Sequence, residues 1–321
     1  MALIGFHASH EQAGPTQLLN DVRHAEAAGF QAAMCSDHFN PWTSAQGHSA
    51  YTWAWLGAAL ATTGLRFGTV TAPGQRYHPA ILAQAAATLA TMYPGRLWMA
   101  AGTGENLNES VTGEPWPPKD VRSRRLAESV DVMRRLFAGE RVTHRGTIHV
   151  EDARLWDRPG EAPKILAPAI STETAAWSAG WAEGLITINQ PEEQLRKVID
   201  AYRGAGGTGP LALQVHLCWA PEESEAERIA HEQWAGSSVA PPVTWDLPTP
   251  EHFEAIAART SPQEVRGSVL VSSDLSELTD RVAALAALGF DEVYLHHVGQ
   301  EQTAFIDAFG DHVLPHLAEQ P

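Results

Sequence analysis

The chain has 321 residues, 44% of them hydrophobic, enough for a large core in one big domain or two small ones. Its 22 Lys and Arg stand against 38 Asp and Glu, a formal net charge of −16, which argues against a nucleic-acid or anionic-membrane partner. Cys35 and Cys218 match no zinc or redox spacing, no apolar stretch is long enough for a bilayer, and MALIGFHASHEQ lacks the basic-then-apolar layout of a signal peptide, so a cytoplasmic location is expected.

Taken in chain order, strands and helices alternate. LIGFHA reads as a strand, PTQLLNDVRHAEAAGF as an amphipathic helix closed by Gly29, and QAAMCS as a second strand. YTWAWLGAALATT is a helix and LRFGTVTAP a third strand. PAILAQAAATLATMYPG is a helix with Pro79 in its first turn. RLWMAAGTG is a fourth strand, followed by the long helix KDVRSRRLAESVDVMRRLFAG. ERVTHRGTIHVEDARLW alternates about Arg145-Gly146, as a β-hairpin does. PKILAPA, GLITIN and LALQVHLCWA read as strands five to seven, each followed by a helix, and DEVYLHHVG as an eighth before a final helix.

Eight such units predict an α/β fold, the (β/α)₈ TIM barrel, as a single domain over residues 1–321. A hairpin insertion at 140–156 follows strand four. A Pro-rich insertion or lid at 236–264 follows strand seven. A doubly wound sheet would carry a glycine fingerprint after strand one, where HASHEQAG stands instead.

In a barrel, polar residues at the strand C-termini converge on one mouth. CSDHFNPW is the most informative stretch, because Asn40-Pro41 prevents an immediate helix and leaves Asp37, His38 and Trp42 on a loop. His38 could take a proton from an alcohol, and Trp42 could pack against a flat ring. Glu105, in the Gly-rich GTGENLNE, either faces a ligand or caps the next helix. That loop lacks the Lys-Ser/Thr ending of a nucleotide site, and no G-x-S-x-G supports a serine hydrolase. His7, His10 and Glu11 fit no standard ligand set, so no metal is expected.

The long motifs SDHFNPW, RYHPAILAQAAATLATMYPGRLWMAAGTGENLNE and GEPWPP resemble the luciferase-like flavin and deazaflavin oxidoreductases, almost end to end. The similarity is greatest to the branch holding deazaflavin-dependent glucose-6-phosphate and hydroxymycolic acid dehydrogenases. FHASHEQ and MCSDHF add a likeness to a flavin-type subset that need not use the deazaflavin. The resemblance implies hydride transfer between a small organic substrate (alcohol, aldehyde or enone) and coenzyme F420. FMN is the alternative cofactor, in a reductase or monooxygenase, and a non-catalytic flavin-binding barrel is a further alternative.

The resemblance also implies roles. His38 is the base on the substrate hydroxyl, Trp42 lies beside the reacting centre, and Glu105 is a proton donor at the pyrimidine end of the ring. Asp37 and Asn108 line the cofactor, Glu11 the substrate pocket, and Thr69-Val70 is the segment that bulges against the ring. Two departures stand out. Of the basic residues that grip a sugar phosphate, only Lys197 has a counterpart, with Arg266 nearby, which predicts that glucose 6-phosphate is a poor substrate. Ser171-Thr172 replaces a Gly-Gly pair at the cofactor tail, where the hydroxyls could hold a phosphate. A homodimer packed through outer helices is expected.

Overall fold

Period-two alternation along each strand decides which side chains face the barrel axis and which face the surrounding helices. In this computed structural model, which describes residues 2–238 and 243–319, there are eleven strands. They are β1 (Leu3–Ala8), β2 (Ala32–Ser36), β3 (Arg66–Thr71), β4 (Leu97–Ala101), β5 (Val142–Arg145), β6 (His149–Ala153), β7 (Lys164–Pro168), β8 (Leu185–Ile188), β9 (Leu211–Trp219), β10 (Leu270–Ser272) and β11 (Glu292–His297). Eight of them form a parallel barrel in the order β1-β2-β3-β4-β7-β8-β9-β11, and β11 pairs back onto β1. The TIM barrel expected from the alternation is therefore the fold.

Inside the barrel, Ala32, Met34, Trp98, Ala100, Leu166, Ile186, Ala212 and Tyr294 pack in one buried cluster. The larger core lies outside it, where Phe6, Phe67, Met99, Leu213 and Leu295 meet the helices. Two glycines make room for the bulkiest interior rings. A Cβ on Gly68 would stand 1.9 Å from the Trp98 ring, and one on Gly5 would stand 2.4 Å from the Tyr294 ring. These rings help to fill the barrel interior below the mouth, as in other TIM barrels, whose sites lie at the C-terminal end.

Helix boundaries follow their local chemistry. Pro15 and Pro79 open helices Pro15–Ala27 and Pro79–Met92, where a missing N–H costs nothing. Asp274 caps Leu275–Ala286 by accepting from the backbone N–H groups of Ser276 and Glu277. The hairpin after β4 is β5 paired antiparallel with β6.

The segment after β9 departs from the sequence reading in two ways. Its described parts are short helices, Val243–Asp246, Pro250–Ala257 and Pro262–Val265; residues 239–242 of the expected insertion lie outside the described residues. The three-residue strand β10 then runs parallel to β9, a pairing the alternation did not announce because three residues carry no readable period. Among the described residues, no helix is long and apolar enough to cross a membrane.

Candidate active site

A cavity of about 590 Å³ opens at the C-terminal ends of the strands, within the ~300–1,000 Å³ usual for small-molecule sites. Glu11, Asp37, His38, Trp42, Val70, Glu105 and Asn108 all line it, so the loops after β1, β2 and β4 converge as the barrel requires.

His38 is the centre of the arrangement. Its Nδ1 lies 2.8 Å from Glu11 Oε1, and its Nε2 lies 3.8 Å from Glu105 Oε2. The other Glu11 oxygen accepts hydrogen bonds of 2.7 Å from the hydroxyls of Ser9 and Ser36. Glu11 is thereby fixed, and it fixes the imidazole with Nε2 as its remaining nitrogen. Burial favours the neutral ring, but the Glu11 carboxylate, assisted by Glu105, outweighs burial and pushes the His38 pKa up to about 9. The ordinary value near 6.5 does not hold, because Glu11, distant in sequence, meets His38 in the fold. Burial acts to raise the Glu11 pKa, yet His38 and the two serine bonds hold it well below the usual carboxylate range.

Glu105 is raised instead. Burial is the main cause, Glu11 and Glu109 add to it, and His38 opposes. Glu105 occupies the N-cap position of the short helix Asn106–Glu109, but its side chain makes no capping bond, so capping is not its role. Asn108 donates to Glu105 at 3.3 Å and accepts from the backbone N–H groups of Phe39 and Asn40, at 2.9 and 3.1 Å. It ties the His38 loop to the Glu105 loop. Trp42 meets the His38 ring edge-to-face at 5.1 Å and is backed by Phe253, also at 5.1 Å.

Asp37 borders the cavity, but its carboxylate is engaged in structure. It accepts from Tyr77 at 2.9 Å, Thr71 at 2.7 Å and Trp53 at 3.3 Å, and pairs with Arg76 at 3.4 Å. Arg76 continues to Glu109 at 3.4 Å. This network was not legible beforehand, although Arg76 in APGQRYHP stands after β3, where mouth residues belong.

Four expected site residues do not line the cavity. Thr69 faces outward from β3, as its position between the inward Gly68 and Val70 dictates, and its hydroxyl donates to the Cys35 carbonyl at 3.1 Å. Val70 alone of that pair borders the cavity. The Ser171 hydroxyl caps the helix Thr172–Ser178 by accepting from the Thr174 N–H, and neither Ser171 nor Thr172 lines the cavity, whereas Glu173 and Thr174 do. Lys197 lies outside it, paired at 2.6 Å with Glu193 one helical turn away on an exposed face.

The wall formed by β9 and β11 carries Gln214, His216 and His296, to which sequence reasoning gave no role, with His7 of β1 beside them. Gln214 and His216 are alternate residues of β9, so the period of two was the available signal. All three histidines are pushed to the neutral form, chiefly by burial and further by neighbouring histidines, His7 to about 4 and His216 to about 3. Among the described residues, no group of His, Cys, Asp or Glu is arranged to hold a metal ion.

Residues 1–292 match the family described as luciferase-like monooxygenase. The chain belongs to that family. A relative in Microbacterium testaceum, named an F420-dependent glucose-6-phosphate dehydrogenase, is 34% identical over 98% of this chain and 97% of its own length. A solved F420-dependent secondary alcohol dehydrogenase, in complex with an F420-acetone adduct, is 30% identical with a TM-score of 0.90, over 99% of both chains. The F420-dependent tetrahydromethanopterin reductase of Methanopyrus kandleri, at 18% identity and a TM-score of 0.78 over 98% of this chain and 99% of its own, shares the fold.

Proposed function

We propose that this chain is an oxidoreductase that binds coenzyme F420 in the barrel mouth and interconverts a small uncharged secondary alcohol and its carbonyl compound. The observation that carries the reading is the His38–Glu11 pair in the cavity of a chain whose full-length relatives are named F420-dependent dehydrogenases. The cavity fits the group. Val70, Ala72, Ala101 and Ala169 give it an apolar wall for a flat ring, and Gly102 and Gly104 bring backbone to its edge without side chains.

When bound, F420 accepts or returns a hydride at C5, and the chain supplies binding, orientation and proton transfer. His38 Nε2 takes the hydroxyl proton as the alcohol is oxidised, while Glu11 holds Nδ1 and stabilises the cation formed. In the reverse direction the same nitrogen returns the proton to the carbonyl oxygen. Glu105, whose raised pKa lets it hold a proton, is placed to donate at the edge of the ring. Trp42 and Phe253 form an aromatic wall beside the reacting carbon and exclude water.

The cavity charges support an uncharged substrate. Gripping a phosphate takes two or three converging cations. Of the cations lining the cavity, Arg76 is paired with Asp37 and Glu109, and Arg122 pairs with Asp246 and covers the Trp116 ring at 4.3 Å. Lys119 has no carboxylate partner among the described residues, but it is a single exposed ammonium. Arg266 is held by Glu223 and Glu227 away from the cavity. A homodimer formed through outer helices belongs to the same proposal, supported by the exposed Ile81 and Met92 on Pro79–Met92.

The test is to titrate the chain with F420 and with FMN by fluorescence, then add a secondary alcohol without oxygen. The reading expects F420 to bind and lose its absorbance. Binding and reduction of FMN alone would overturn it.

A further inference from the structure

Beginning beside Glu11 on the loop after β1, a chain of neutral hydrogen-bonding groups runs from Gln12 through His296 and Gln214 to His216. His296 Nε2 lies 2.7 Å from Gln12 Oε1. The Gln214 amide nitrogen lies 3.1 Å from His296 Nδ1 and 3.2 Å from His216 Nε2.

Each member determines the next. The Gln12 amide nitrogen donates to the carbonyl of Val298, so the Gln12 oxygen faces His296 and accepts from Nε2–H. A neutral His296 then offers only a lone pair at Nδ1, which accepts from the Gln214 amide. The second hydrogen of that amide goes to His216 Nε2. A neutral His216 therefore carries its proton on Nδ1. Both His216 Nδ1–H and the Gln214 carbonyl oxygen are without a hydrogen-bond partner among the described residues, and both side chains line the cavity. His7 adds an independent sign of an unfilled polar site: its ring stacks on His296 at 4.2 Å, and its buried Nδ1 has no partner.

We propose that His216 and Gln214 form a specificity subsite for a second, uncharged hydroxyl of the substrate, so that the enzyme prefers diols and polyols to simple alcohols. This rests on the alcohol oxidation proposed above. A hydroxyl both donates and accepts, and so satisfies the Gln214 oxygen and the His216 N–H together. An anion can only accept, and it meets the Gln214 lone pairs. An alkyl group leaves both unpaired, which a site built for a hydroxyl penalises. The neutral rings cannot answer an anion by taking protons, since burial and mutual proximity oppose their charging.

Cyclohexanol and its vicinal diol share one carbon skeleton and separate these cases. With F420, the wild-type chain should favour the diol by at least about tenfold in kcat/KM. His216→Phe, which keeps a ring against Trp234, and Gln214→Met should each bring that ratio close to one. A wild-type ratio near one, or a ratio intact in both variants, overturns the subsite.

A second readout needs no turnover. Nitrogen NMR of the histidine-labelled full chain should show His296 protonated at Nε2 and His216 at Nδ1. The diol should move the His216 signal, while cyclohexanol and inorganic phosphate should not. A shift produced by phosphate, or none with the diol, overturns the subsite. If no alcohol reduces F420 but the diol-specific shift appears, the proposed reaction fails and the subsite stands.

Discussion

His38 and Glu11 form a close ion pair that changes what the imidazole does at neutral pH. With its pKa raised to about 9, His38 is held as a cation, the form that the proposed carbonyl reduction requires. Alcohol oxidation needs the neutral ring, so its kcat/KM should rise with pH through a limb near 9, while carbonyl reduction falls over the same range. Glu11→Gln keeps the shape but removes the charge that raises His38. We expect that limb to move toward the ordinary value of about 6.5; a limb unmoved near 9 in the variant's pH profile would exclude Glu11 as its cause. The stability link has a definite sign. Because the folded pKa lies above the unfolded one, the contribution of the pair is complete below about pH 6.5 and is lost as pH rises through about 9.

At the scale of elements, the loop after β2 is held by a buried ionic network rather than by its own turn chemistry. Arg76→Met would leave Asp37 and Glu109 buried without their cation. Breaking such a pair costs about 3–5 kcal/mol, so urea denaturation should show a loss of that order. A change below about 1 kcal/mol would mean that Tyr77, Thr71 and Trp53 hold Asp37 unaided. The strand-end rule placed His38, Trp42 and Glu105 together from sequence, since chain direction in a parallel barrel sends every such loop to one mouth. It said nothing of partners distant in sequence, so the Glu11 contact and the Arg76 network had to come from the fold. Of the candidates that rested on family resemblance alone, three have side chains engaged elsewhere. The pleat turns Thr69 outward, Ser171 serves its own helix, and the exposed helix face gives Lys197 to Glu193.

For the whole molecule, charge is the governing quantity. The net charge of −16 surrounds a cavity whose three Lys and Arg side chains are paired or exposed and whose His38 is paired with Glu11, so an anionic substrate is disfavoured both in approach and at the site. Glucose 6-phosphate should therefore be turned over far less efficiently than an uncharged secondary alcohol with the same F420-loaded enzyme. A kcat/KM for the sugar phosphate equal to or above that for the alcohol would show that cations gather on it in a way this geometry does not provide. Closure of the barrel was legible in the eightfold alternation. The neutral wall of β9 and β11 was legible only once it was known that alternate residues there face inward.

The most direct test is a single-turnover reduction of F420 by a secondary alcohol, comparing wild type with a His38→Asn variant that is fully loaded with cofactor. Asparagine keeps polarity and approximate size but cannot take the proton, and general bases supply about 10²–10⁴-fold in rate. The rate constant should fall by that factor, with F420 affinity within a few-fold of wild type. An unchanged rate constant in the loaded variant would contradict the account and remove His38 from the reaction.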